Sequence, residues 1–101
     1  MKQITRINKY ENILNDSNKI IKKVDKYLDE YNAIQDKIKE LSTYYGSEIW
    51  YQDIEDFDKQ LLPKETKAGI LSEDAIYNML ANNKEIAIKM LEIATKVLKN
   101  N

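Results

Sequence analysis

The sequence contains no cysteine and no histidine. Disulfide frameworks, thiol chemistry, Cys or Cys/His zinc sites and Ser-His-Asp triads are therefore excluded. Glycine occurs twice (Gly46, Gly69) and proline once (Pro63). Sheet proteins of this size need more turn residues, so the scarcity points to long helices with few connections. Arginine occurs only as Arg6, while Lys, Asn and Ile are heavily used, a bias expected of a low-GC bacterium or its phage. An excess of one charge is also missing. Sixteen basic against seventeen acidic residues leave a net charge of -1, which argues against binding polymeric nucleic acid through a general basic surface. No apolar run reaches the length of a membrane span, and Met1-Lys2-Gln3-Ile4 does not open a signal peptide. A cytoplasmic protein with no membrane partner is expected, in a low-GC bacterium or a phage-infected host.

What is present is enough for one small folded domain over residues 1–101. Hydrophobic residues make up 43% and charged residues 33% of 101, which is neither a disordered tail nor a membrane protein. Charge is unevenly spread. Residues 1–43 carry nine basic and seven acidic groups, residues 44–62 one and five, and residues 63–101 six and five.

Apolar spacing predicts an all-α chain of three helices. The first covers about residues 3–43. Three columns recur at intervals of seven: Ile7, Leu14, Ile21, Leu28; then Tyr10, Ser17, Val24, Tyr31, Ile38; then Ile13, Ile20, Tyr27, Ile34, Leu41. Two columns make a coiled-coil seam, whereas three make a wide stripe that needs partners on two sides. At ~1.5 Å per residue the helix is roughly 60 Å long. A chain this short has trouble covering such a helix, so an antiparallel bundle completed by a dimer or tetramer is expected.

Gly46 is placed to end the first helix and Ser47 to cap a short second one, about 48–59. Glu48 suits its first turn, and Trp50, Ile54, Phe57 and Leu61 form its apolar face, stopped by Leu62-Pro63. Residues 62–71 read as the one true loop. Ser72 then caps a third helix, about 73–99, with Glu73 and Asp74 in its first turn and Leu71 and Ile76 placed as a hydrophobic staple. Its stripe (Ile76, Leu80, Ala87, Leu91, Ala94, Leu98) stays in phase across Asn82-Asn83, which predicts one helix with room for a kink there.

Five of the nine aromatic residues lie between 44 and 57. Tyr44, Tyr45 and Trp50, with Tyr77, are candidates for stacking on a flat ligand such as a nucleobase. Lys64 and Lys67, with Ser47 and Ser72 at the two helix starts, are candidates for holding its phosphates. The same residues also suit a purely structural role, with Tyr45 and Trp50 wedging a helix junction and solvated lysines in a loop. Asp53, Glu55, Asp56 and Asp58 lack the ladder of a calcium loop and read best as a solvated face. The phosphate-cradling and dinucleotide-binding glycine motifs are absent. No catalytic residue, metal or cofactor is expected.

The string YYGSEIW, then Asp53, then LPKETKAGILSEDAIYNML, resembles a family of small bacterial and phage proteins filed as domain of unknown function 4298. The matching positions are Tyr44, Tyr45, Gly46, Ser47, Trp50, Asp53, Leu62, Pro63, Gly69, Leu71, Ser72, Glu73, Asp74 and Tyr77. One departure is Ala68, where that family often carries a basic residue; this weakens an anion site resting on that position. The family label implies no activity. A looser resemblance is to phage anti-defence sponges, small helical oligomers that sequester cyclic nucleotide immune signals without cleaving them. That likeness lies in size, helical build, expected assembly and lack of catalytic residues.

Two functions follow as expectations. One is a non-catalytic protein that sequesters a nucleotide, such as a cyclic oligonucleotide signal, in an oligomeric bundle. The other is a structural or adaptor protein acting through contacts of the first helix. The residues alone favour the second, and the sponge likeness raises the first beside it. A metal-dependent phosphodiesterase built on Asp53 and Asp56 is the weakest alternative, for want of His and of ligand spacing.

Overall fold

The computed structural model describes residues 1–100, and helices are its only long elements. They are α1 (Lys2–Tyr44), α2 (Glu48–Asp58) and α3 (Glu73–Asn100), with a single 3-10 turn at Gly69–Leu71 between the last two. The all-helical class and the three helices agree with the sequence pattern, with shifts of a residue at most boundaries. The loop expected over 62–71 is not wholly irregular, because Leu71 N–H donates to Ala68 O and Ser72 N–H to Gly69 O. By its own contacts the chain divides into two compact units, Met1–Ile38 and Lys39–Asn101.

The first unit is the larger part of α1. Nothing in its sequence breaks the helix, since Pro and Gly are absent and its seven lysines are good helix formers. Its ends receive little electrostatic help. The first turn has no acidic residue and the last turn no basic one, so the helix dipole is uncompensated. Every residue from 1 to 30 is exposed, the three apolar columns included.

The second unit holds the core. Among the described residues only Trp50 and Ile76 are buried, each 3% exposed. Around them lie half-buried Leu41, Tyr44, Tyr45, Ile54, Ile70, Leu71 and Met79. The chain leaves α1 at Gly46, whose φ of +78° lies in the left-handed region that glycine enters at low cost. Ser47 then caps α2, its Oγ accepting from Trp50 N–H at 3.2 Å.

α2 ends differently from expectation. Gln60, not the Leu62-Pro63 pair, turns the chain, with φ +60°. Gln60 N–H donates to Phe57 O and Leu61 N–H to Asp56 O, the pairing of a Schellman motif with a non-glycine residue at its left-handed position. Leu61 is consequently carried past the helix end and is 68% exposed. It drops out of the expected apolar face.

α3 starts as expected, with Ser72 Oγ accepting from Ala75 N–H at 3.3 Å. It runs unbroken through Asn82-Asn83. Its first turns supply the core with Ile76 and half-buried Met79 and Leu80, whereas residues 91–100 are all exposed.

Candidate functional site

The motif-rich segments meet in the second unit as a corner between the end of α1, α2, the 3-10 turn and the start of α3. Its hub is Trp50. The indole is enclosed, and its Nε1–H donates to the backbone carbonyl of Ile70 at 3.0 Å. Tyr45 and Tyr51 meet the indole edge-to-face, with ring centroids 5.1 Å and 5.0 Å away. Such pairs add about 0.5–1.5 kcal/mol beyond the area they bury. The Trp50–Ile70 bond ties α2 to the turn that launches α3, twenty residues further along the chain.

A second tie joins α1 to α2. Tyr44 Oη–H donates to Asp53 Oδ2 at 2.5 Å. Pairing with the carboxylate, helped by burial and by the charge of Asp53, raises the Tyr44 phenol above its ordinary value of 10.0. The Tyr45 phenol is raised too, by burial first and then by the charges of Glu73 and its neighbours. Both phenols therefore stay protonated at neutral pH, and that of Tyr44 acts as a donor to Asp53.

Of the eight predicted ligand residues, the structure brings Tyr44, Tyr45, Ser47 and Trp50 into this corner and engages them there. The Trp50 side chain is enclosed, 3% exposed. Ser47 and Ser72 each spend a hydroxyl lone pair on a helix-start N–H. Lys64, Lys67 and Tyr77 are exposed. Lys64 alone of the eight lines a shallow hollow of about 640 Å³, shared with Phe57, Asp58, Gln60, Leu62 and Pro63. Three of the five carboxylates of α2 are also engaged by neighbours: Asp53 by Tyr44, Asp56 by Gln52 at 2.8 Å and Glu55 by Lys59 at 2.5 Å.

Sequence reasoning missed three features. Asp53 is a hydrogen-bond partner of an aromatic nine residues earlier, a spacing that crosses two elements and has no helical signature. Gln60 adopts a left-handed conformation that no local motif announces. A small apolar hollow of about 220 Å³, lined by Leu41, Gly69, Ile70, Ala75, Ile76 and Met79, opens beside the core. The presence of Gly69 there was a usable signal. A Cβ added at Gly69 meets nothing within 4 Å and its φ is unremarkable, so neither backbone nor packing within this chain requires glycine.

Comparison with known proteins adds one match. No curated protein and no solved structure is similar to the chain. The family match covers residues 7–93, which takes in most of α1, the whole corner and most of α3. The corner residues Tyr44, Gly46, Ser47, Trp50, Asp53 and Ser72 thus sit inside a matched segment that spans nearly the full chain, and the chain belongs to the family described as a domain of unknown function, DUF4298.

Proposed function

We propose that this protein is a non-catalytic helical assembly and adaptor protein, acting through the apolar stripe of α1. The observation that carries the reading is the complete exposure of residues 1–30, where Ile7, Leu14, Ile21 and Leu28 and their two neighbouring columns face solvent. An apolar face of that length marks a contact surface. Its seven-residue spacing suits another helix rather than a small molecule. Homo-oligomers, dimeric or tetrameric, with helices packed antiparallel are the simplest way to cover it.

The corner supports the same reading from the other side. Tyr44, Ser47, Trp50 and Asp53 are all accounted for by ties that hold three segments together. Nucleotide sequestration is the alternative, and its residues are then the exposed Tyr77, Lys64 and Lys67.

One experiment separates them. The purified protein is incubated with linear and cyclic nucleotides, filtered, and heated to release bound ligand for mass analysis, while sedimentation gives its oligomeric state. A stable oligomer that releases nothing, and that Val24→Asp dissociates, supports the assembly reading. Release of one intact nucleotide, lost in Lys67→Ala, overturns it in favour of a sponge.

A further inference from the structure

The stripe of α1 is bordered by two polar columns, each also at intervals of seven. One is Lys2, Lys9, Asp16, Lys23, Glu30, Lys37, which alternates in sign from Lys9 onward. The other is Glu11, Asn18, Asp25, Asn32, Lys39. Among the described residues Asp16, Lys23, Glu30 and Lys37 form no ion pair within the chain. These borders decide which occupant the stripe accepts.

We infer that the occupant is α1 of a second copy, running antiparallel, with the two-fold axis crossing between residues 26 and 27. The inference rests on the assembly reading above and specifies its partner. In an antiparallel pair each border faces the same border of the other chain. With that centre, Asp16 stands level with the partner's Lys37 and Lys23 with the partner's Glu30, and symmetry repeats both contacts. The second border adds Glu11 near the partner's Lys39, against one unfavourable meeting of Asp25 with the partner's Asp25 at the axis.

A parallel, in-register pair opposes the two borders instead. It gains Lys9 with the partner's Glu11 and Lys23 with the partner's Asp25, each twice by symmetry. It sets Lys37 against the partner's Lys39, twice, and loses the sign alternation.

A further observation favours the antiparallel arrangement. The central column reads Tyr10, Ser17, Val24, Tyr31, Ile38. Antiparallel, Tyr31 lies over the space between Ser17 and Val24 of the partner subunit, large against small. Parallel, tyrosine meets tyrosine and serine meets serine, leaving a gap at one level and a collision at another.

Charge reversal tests the arrangement, because the two geometries predict opposite signs. Sedimentation equilibrium of the full chain in low salt gives the dissociation constant. Antiparallel pairing predicts that Lys37→Glu raises it about tenfold. The double variant Asp16→Lys with Lys37→Glu returns it to near the parent value. Tightening by Lys37→Glu, or no rescue in the double variant, overturns the proposal. The chain has no cysteine, so a disulfide readout is clean. Mixing Ser17→Cys with Ile38→Cys chains is expected to yield the mixed disulfide, and Tyr10→Cys chains are expected not to cross-link to one another. The reverse pattern overturns the antiparallel register. A parent chain that stays monomeric at every concentration overturns the assembly reading itself; a parent that associates without responding to the charge swap overturns the register alone.

Discussion

At the scale of single residues, Trp50 and Lys67 were candidates for one site, and their surroundings differ: Lys67 is exposed. Trp50 is enclosed, donates to Ile70 and receives two aromatic edges. Trp50→Ala removes one of only two buried side chains among the described residues and strips the Ile70 carbonyl of its donor. It is expected to cost about 3–5 kcal/mol and to abolish cooperative unfolding of residues 39–100 in urea, whereas Lys67→Ala is expected to shift the midpoint negligibly. Tyr44 carries a pH signature. Its phenol binds its proton more tightly folded than unfolded, so the stabilisation is fully present below about pH 10 and is lost as pH rises through the raised value. Urea midpoints measured from pH 8 to pH 11 are expected to fall at the alkaline end, and to fall less steeply in Tyr44→Phe. That variant also starts about 1 kcal/mol lower at neutral pH, for the lost bond to Asp53.

Elements show where local signals suffice and where they do not. The helix starts were legible because Ser47 and Ser72 act on N–H groups three residues away, and a contact that local depends on the chain itself. The end of α1 was legible for the same reason, since Gly46 is the residue that enters φ +78° without a Cβ penalty. The end of α2 was not. Gln60 takes a position glycine normally fills, and the hydrogen bonds of Gln60 and Leu61 to α2 carbonyls hold it there. Gln60→Gly is therefore expected to stabilise the protein by about 1 kcal/mol, read as a higher urea midpoint with unchanged slope. Helix α1 poses the converse case. Its three columns were plain in the sequence, and the structure leaves them in solvent along residues 1–30.

For the whole molecule, two buried residues among those described are too small a core to stabilise a chain of this length alone. On the proposed reading, stability then depends on what covers α1. If copies of the chain do so, folding and association are linked, and the melting temperature rises with protein concentration. Circular dichroism melts over a hundredfold concentration range are expected to show that rise in the parent and to lose it in Val24→Asp. A melting temperature independent of concentration in the parent is the result that contradicts linked assembly.

The sequence by itself determined the helical class, the three helices and their starts, because periodicity and capping are properties of neighbours along the chain. The YYGSEIW and LPKETKAGILSED segments, through their family resemblance, also sufficed to identify DUF4298. What only the tertiary structure decided is what those segments do within the chain. The Tyr44–Asp53 and Trp50–Ile70 bonds join residues nine and twenty apart across different elements. An aromatic cluster in a sequence serves a ligand or a core equally well. The choice rests on which groups lie against each ring, and that is settled only when separate elements come together.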